Sequence, residues 1–176
     1  GLGGATRSVA AGDLDGDGDA DLLGGASALP DLLWWENQGA AASWAKWSID
    51  DAFVARAVAI ADLDDDLRND AVAAGPAGLH WWRSYEGTWT EYAIATDVAA
   101  PAGVLSGDLD RDGDLELVLA SQTGGVTWLE NTRDATDFPE SDIGTPFLAA
   151  SKAIVLGALD RDGDLDLVVG MLAGIG

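Results

Sequence analysis

The chain has 176 residues, contains no cysteine and carries a formal net charge of -22 at pH 7. Disulfides and thiolate zinc sites are therefore excluded, and a negative charge of this size disfavours binding to nucleic acids and anionic membrane surfaces. Because 48% of the residues are hydrophobic, the chain is not a disordered acidic tail, and no apolar run reaches the roughly 18 residues of a membrane-spanning helix.

An acidic segment recurs four times along the chain. It begins at Asp13, Asp62, Asp108 and Ala158, so that successive copies are offset by 49, 46 and 50 residues. Each copy is preceded by a short run of residues that favour β-structure, at 8–11, 57–60, 103–106 and 153–156. Recurrence at a nearly fixed period indicates a repeat architecture in which each copy is one structural unit.

The order of predicted elements after each acidic segment is also repeated. A second strand follows at once, and a glycine-containing turn then leads to an aromatic strand, at 33–37, 80–84 and 127–131. A fourth strand closes each of the first three units, at 44–49, 89–94 and near 142–143. Four short strands separated by Gly, Asn and Asp predict an antiparallel meander, and its repetition predicts a propeller blade.

We therefore predict an all-β fold, a β-propeller of four-stranded antiparallel blades with about three and a half blades in this chain. The predicted blades span approximately residues 5–50, 54–97, 100–145 and 150–176, the last one incomplete. An arc of this kind leaves strand edges and blade faces exposed. The sequence is therefore interpreted as part of a longer protein, as a chain that assembles with copies of itself, or as one that packs against a partner.

Each acidic segment has the composition of a calcium-binding loop. The first carries Asp at its positions 1, 3, 5 and 9 and Gly at position 6. Several hard oxygen ligands suit calcium better than magnesium, which retains its waters, or zinc, which prefers nitrogen and sulfur. Two carboxylates about 4 Å apart repel by about 4 kcal/mol at an effective dielectric constant near 20, so the cluster needs a cation.

An EF-hand is the alternative that the first six positions suggest. It requires a bidentate Glu at position 12 and flanking helices. Position 12 is Gly24 in the first loop, Leu119 in the third and Val169 in the fourth, and the residues around it favour strands. The EF-hand interpretation is therefore rejected.

With its Asp-Leu-Asp-x-Asp-Gly-Asp-x-Asp/Glu loops and the Trp-Trp-Glu-Asn run at Trp34 to Asn37, the chain resembles the FG-GAP/VCBS repeat family. Blades of that family bind calcium and also form integrin α-subunit propellers. The resemblance implies a loop between the first two strands of each blade, with ligands from the side chains at positions 1, 3, 5 and 9 and the carbonyl at position 7. It also implies two to four Ca²⁺ ions in this chain.

Carried over position by position, the implied ligands of the first loop are Asp13, Asp15, Asp17, Asp19 and Asp21, and those of the third are Asp108, Asp110, Asp112, Asp114 and Glu116. Those of the second are Asp62, Asp64, Asp66 and Asp70, and those of the fourth are Asp160, Asp162, Asp164 and Asp166. Asp19, Asp114 and Asp164 contribute through their carbonyls. Two loops depart from the family pattern, because the second has Leu67 in place of Gly and the fourth has Ala158 at position 1.

The aromatic residues and the single histidine add little evidence for catalysis. At equivalent blade positions, Trp34, Trp81 and Trp128 are expected to pack between blades. The outer-strand residues Trp44, Trp47 and Trp89 are expected to be more exposed. His80 has no plausible nucleophile beside it in the sequence, and a lone histidine cannot form a metal triad. No catalytic residue and no organic cofactor is predicted.

The sequence thus predicts a calcium-stabilised, non-catalytic extracellular module for adhesion or for binding a protein or glycan. Two alternatives remain open, an accessory subunit that docks on a larger assembly and the propeller part of a carbohydrate-active enzyme. Self-association through open blade edges is a further expectation, and neither nucleic acid nor membrane insertion is expected. Sites of this family need near-millimolar calcium, which implies an extracellular, periplasmic or cell-surface location, in a bacterium given the Ala- and Gly-rich repeats.

Overall fold

A computed structural model of the chain describes residues 6–26, 31–39, 41–95, 98–123, 125–132, 135–143 and 151–171. Within these ranges the structure contains strands and no helix, and hence no helix that could span a bilayer. The limits predicted for the blades at residues 5, 97, 145, 150 and 176 lie outside the described residues.

The strands form four separate antiparallel sheets, numbered here in chain order. The first sheet contains β1 (Thr6–Gly12), β2 (Asp21–Ala26), β3 (Leu32–Asn37) and β4 (Trp44–Asp50), and the second contains β5 (Ala57–Ala61), β6 (Asp70–Gly75), β7 (Gly78–Tyr85) and β8 (Thr88–Ala95). The third contains β9 (Pro101–Gly107), β10 (Glu116–Ser121), β11 (Gly125–Leu129) and β12 (Glu140–Asp142), and the fourth pairs β13 (Ser151–Gly157) with β14 (Asp166–Met171).

Strands follow one another in each sheet in the order in which they occur in the chain, so each full sheet is a four-stranded meander. The predicted all-β fold of antiparallel four-stranded blades is confirmed. The sheets are not closed into a ring, and the first strands of neighbouring sheets approach one another, as the hydrogen bond from the Val58 amide to Ser8 Oγ at 3.1 Å shows.

The hydrophobic core lies between successive sheets and not within one of them. Leu23 and Leu32 of the first sheet pack in one cluster with Trp82 of the second, and Trp81 packs in another with Leu117 of the third. A third cluster joins the third sheet to the fourth. Since the second sheet buries both faces against its neighbours, the two adjacent tryptophans of β7, which point to opposite faces, are both buried.

The tryptophans largely follow the sequence-based expectation. Trp81 is buried, Trp34 and Trp128 are half-buried, and Trp34 packs edge-to-face across the sheet boundary on Trp89 with ring centroids 6.0 Å apart. Trp44 is exposed as expected. The expectation was wrong for Trp89, which is half-buried because its ring packs on Trp34 of the neighbouring sheet.

One close approach between segments depends on a missing side chain. A Cβ atom added to Gly75, at the end of β6, would lie 2.0 Å from the backbone oxygen of Val54. Backbone cannot move aside as a flexible side chain can. Gly157, at the end of β13, has no atom of the described residues within 4 Å of the corresponding position.

Gly75→Ala should therefore lower the free energy of unfolding by about 1–3 kcal/mol, the usual cost of overpacking. Gly157→Ala, the matched control at a strand end in the fourth sheet, should change it by less than about 0.5 kcal/mol. Urea denaturation followed by tryptophan fluorescence measures both values. Equal stability of the two variants would show that the second sheet does not pack on residues 53–54 as described.

Candidate metal centre

The four acidic loops occupy the same place in each sheet, between its first and second strands. This is the position implied by the family resemblance. In every loop the residues at positions 4 and 6 have positive φ, namely Gly16 and Gly18, Asp65 and Leu67, Arg111 and Gly113, and Arg161 and Gly163. The sequence indicated this requirement only at position 6, where three of the loops have glycine.

In the first loop, backbone amides orient the carboxylates toward a common point. Asp13 accepts hydrogen bonds from the amides of Gly16 at 2.7 Å and Gly18 at 2.9 Å, and Asp15 accepts one from the amide of Asp17 at 3.1 Å. One oxygen from each of Asp13, Asp15 and Asp17 falls within 4.8 Å of the others. Burial raises the pKa of Asp15, the neighbouring carboxylates raise it further, and the amide hydrogen bond opposes both.

In the third loop, the corresponding group is formed by Asp108, Asp110 and Glu116. Glu116 is fully buried and accepts a hydrogen bond from the Leu109 amide at 2.5 Å through Oε2. Its Oε1 and Asp108 Oδ1 are buried without a hydrogen-bond donor among the described residues. Since buried acceptors normally have a partner, two such oxygens in one acidic cluster fit a hard cation with oxygen ligands.

At position 9 of the first two loops, the aspartate is hydrogen-bonded to backbone amides through both of its oxygens. Asp21 is fully buried, and its two oxygens accept the amides of Leu14 at 2.9 Å and Asn37 at 2.8 Å. Asp70 is bound in the same way by the amides of Leu63 and Ser84. Because Asn37 and Ser84 lie on third strands, these hydrogen bonds connect each loop to the third strand of its sheet. Neither aspartate is in the group of three close carboxylates of its loop.

The difference at position 9 follows from side-chain length. Glu116 has one methylene more than Asp21 or Asp70, and an oxygen of its longer side chain joins the oxygen group, while Oε2 accepts the Leu109 amide and Oε1 has no donor among the described residues. The sequence pattern treats Asp and Glu as equivalent at this position. The structure therefore distinguishes two kinds of loop that the pattern does not.

The second loop has its three carboxylates together, but a cation from the same sheet already contacts them. Oxygens of Asp62, Asp64 and Asp66 lie within 4.8 Å of one another. Arg83 on β7 places Nε 2.5 Å from Asp64 Oδ2 and donates through Nη2 to Asp66 Oδ2 at 3.1 Å. Nothing in the sequence alignment of the repeats assigned a role to Arg83.

The fourth loop shows no group of three carboxylates among its described residues, consistent with Ala158 at position 1. Its Asp160 and Asp162 still accept the amides two residues further on, at 3.1 and 2.9 Å. Asp164 forms an ion pair with Arg111 of the third loop. The fourth loop thus has the same backbone conformation as the others, but its described carboxylates do not form a close group of three.

Side-chain amides join the loops of neighbouring sheets. Asn69 Nδ2, in the second loop, donates to the carbonyl of Asp13 in the first at 2.7 Å. Asn131 Nδ2, after β11, donates to the carbonyl of Leu63 in the second loop at 2.7 Å. Neither asparagine was identified as important from the sequence, although Asn37 and Asn131 recur at equivalent positions after the aromatic strand.

Comparison with protein-family models agrees with this geometry. The model described as an FG-GAP-like repeat matches residues 62–119 and 108–169, and the FG-GAP repeat model matches residues 5–44. The chain belongs to the FG-GAP repeat family. FG-GAP repeats generally bind calcium, and the acidic clusters of the first and third loops have donor sets that could hold such an ion.

Among solved structures, the FG-GAP chain is similar to an Agrocybe aegerita lectin, described as specifically recognising non-reducing terminal N-acetylglucosamine. The match has a TM-score of 0.65 at 19% sequence identity and covers 90% of this chain and 45% of the lectin chain. This likeness shows the propeller fold, and the chain spans less than half the length of the lectin. A search of curated proteins finds no match.

The buried acids predict how stability depends on pH when calcium is removed. Burial raises the pKa of both Asp70 and Glu116 to about 7, above the value near 4 of unfolded chains. A raised pKa means that the folded state binds the proton more tightly, so this stabilisation is complete below about pH 4 and is lost as pH rises through about 7. In chelator, the free energy of unfolding should therefore be higher at pH 5 than at pH 8.

Urea denaturation in chelator at several pH values measures this slope. Asp70→Asn removes one of the two titrating groups and should reduce the slope, whereas Asp51→Asn, at an exposed position outside the loops, should leave it unchanged. Stability that increases between pH 5 and pH 8 in chelator would contradict the expectation.

Proposed function

We propose that the chain is a calcium-stabilised, non-catalytic module that binds a glycan in clefts between its blades, in a compartment outside the cytoplasm. The observation that carries this proposal is a cleft at each of two successive sheet boundaries, lined in both by an acidic-loop aspartate and a tryptophan at equivalent positions. The first cleft has a volume of about 500 Å³ and the second about 440 Å³. Both volumes lie in the range of small-ligand sites.

Each cleft combines an acidic-loop residue with aromatic rings. Asp15 and Trp34 line the first cleft, and Asp64 and Trp81, at the equivalent positions of the next sheet, line the second. An aromatic ring from β8 completes each wall, Trp89 in the first cleft and Tyr92 in the second. Tyr92 stacks on Trp81 with centroids 4.9 Å apart and is itself 43% exposed.

Rings beside carboxylates suit a sugar, whose apolar face packs on an aromatic surface while its hydroxyls bind acceptors. The structural likeness to a lectin that recognises N-acetylglucosamine supports the same ligand class here. A non-catalytic role is supported by the surroundings of His80, whose Nδ1 lies 2.7 Å from Glu91 Oε1 and whose ring packs on Phe53. This histidine serves the contact between strands.

Calcium would be held by Asp13, Asp15 and Asp17 in the first loop and by Asp108, Asp110 and Glu116 in the third. When bound, the ion offsets the mutual repulsion of these carboxylates and rigidifies the loop. Because Asp15 also lines the first cleft, the order of the loop bears on the shape of the cleft. A module of this kind would function where calcium is plentiful, as outside cells or in a periplasm.

A second candidate function, as one part of a larger assembly, is favoured by the exposure of apolar side chains on the outermost sheets. Val9 of β1 is 61% exposed, and Val155 of β13 and Leu159 of the fourth loop are 60% and 65% exposed. In the inner sheets the corresponding faces are covered by a neighbouring blade. A further blade, a second copy or a partner subunit would cover these residues.

Glycan binding is tested with an array that includes terminal N-acetylglucosamine, followed by calorimetric titration of the best ligand in calcium buffer. Trp89→Ala and Tyr92→Ala should each weaken binding about tenfold, because each removes a ring from a cleft wall. Trp44→Ala, at an exposed ring outside both clefts, is the matched control and should bind as the parent chain does. Chelator should weaken binding and lower the thermal midpoint.

The absence of glycan binding by the folded, calcium-loaded chain would refute the glycan proposal. Loss of binding in Trp44→Ala with retention in Trp89→Ala and Tyr92→Ala would place the ligand on the outer surface instead. Turnover of a polysaccharide by the chain would refute the non-catalytic role.

A further inference from the structure

The second loop keeps the backbone shape of its neighbours at an energetic cost. Leu67 has a φ value of 68°, the left-handed conformation that Gly18, Gly113 and Gly163 provide at the equivalent position of the other loops. For a residue with a side chain this conformation costs roughly 1–2 kcal/mol. Leu67 is 89% exposed, so burial of its side chain does not offset the cost.

The carboxylates of the second loop, in contrast to Leu67, are largely buried and contact a cation of the same sheet. The Asp64 side chain is only 8% exposed and that of Asp66 19%, and both contact the guanidinium of Arg83 at 2.5 and 3.1 Å. Asp62 is meanwhile held by the amides of Asp66 and Leu67 at 3.1 and 2.8 Å. Two partly buried carboxylates thus share one fixed positive charge.

The strand register shows that this arginine is specific to the second blade. Trp35 pairs with Leu22, Trp82 with Ala71 and Leu129 with Leu117, in each case the residue that follows position 9 of the loop. The next residue along the third strand is therefore equivalent in the three blades. It is Glu36 in the first, Arg83 in the second and Glu130 in the third.

In the first blade, where no arginine faces the loop from this position, the residue equivalent to Arg83 is Glu36. It accepts a hydrogen bond from Trp47 Nε1 at 2.7 Å, on the outer strand of the sheet. Within the part of the chain that the structure describes, no Lys or Arg forms an ion pair with Asp13, Asp15 or Asp17. An arginine at this register and an intact glycine at position 6 thus occur in different blades.

We propose that the Arg83 guanidinium takes the place of the divalent cation in the second loop, so that this blade is held together without a metal ion. The three carboxylates of the loop do not fit the family's calcium role while Arg83 occupies the space beside Asp64 and Asp66. The Arg83 guanidinium is part of the chain and cannot dissociate as a bound ion can. The second blade therefore stays ordered at calcium concentrations that empty the first and third loops. This inference is independent of the glycan proposal.

The alternative to this proposal is that the second loop holds a metal ion together with Arg83. Asp64 Oδ1 is buried and has no hydrogen-bond donor among the described residues. An ion could therefore sit beside the guanidinium and bind this oxygen. Counting bound ions distinguishes the two arrangements.

The experiment compares the 176-residue chain with Asp64→Asn, Arg83→Gln and Arg68→Gln by native mass spectrometry and by thermal unfolding, each with calcium and with chelator. Arg68→Gln is the matched control, because it removes the same charge from the same blade. Arg68 lies over the Tyr85 ring at 5.1 Å and forms no ion pair among the described residues.

The parent chain, Asp64→Asn and Arg68→Gln should carry equal numbers of calcium ions. Arg83→Gln should bind one additional ion in calcium, and in chelator its thermal midpoint should fall by about 4 °C or more below that of Arg68→Gln. Calcium should restore most of that loss in Arg83→Gln.

Two results would overturn the proposal. A loss of one bound ion in Asp64→Asn relative to the parent would show that the second loop already holds a metal. Equal midpoints of Arg83→Gln and Arg68→Gln in chelator, with no additional ion, would show that Arg83 does not compensate the carboxylates. If Arg83→Gln fails to fold even in calcium, the ion count of Asp64→Asn decides alone. Neither readout involves a glycan, so failure here is distinguishable from failure of glycan binding.

Discussion

The repulsion among carboxylates gathered at the bend between the first two strands of each blade is the constraint on which the structure depends. Backbone amides hold these side chains in place, as at Asp13 with Gly16 and Gly18, but amide hydrogen bonds do not neutralise a net charge. Each loop meets the constraint differently. The first and third present open oxygen groups, the second contacts Arg83, and the fourth lacks its first acid.

Much of the fold could be predicted because its signals are local. The β-prone runs and the glycines at position 6 depend only on residues that are neighbours in the chain, and they match strands and left-handed turns. The repeat period then shows that the same local pattern recurs in each sheet. The burial of both Trp81 and Trp82 was less predictable, since it requires a sheet covered on both faces. That property belongs to the stacking of blades and not to any one strand.

The chemistry of the loops was less accessible from the sequence, because it depends on distances between residues far apart in the chain. Arg83 reaches Asp66 across 17 positions, and only the strand register brings it there. The pattern also could not separate Asp21 from Glu116, whose roles differ by the length of one methylene group. Composition indicates which atoms are available, whereas the partners that occupy them are set by tertiary structure.

Hydrogen bonds from the side-chain amides of Asn69 and Asn131 connect the acidic loops of successive blades. Each donates to a main-chain carbonyl of the preceding blade's loop, so the bend of one blade forms part of the support of the next. Disorder in one loop therefore removes a hydrogen-bond partner from its neighbour. Each blade is therefore expected to add to the stability of the next, so that the arc unfolds more cooperatively than a series of independent modules would.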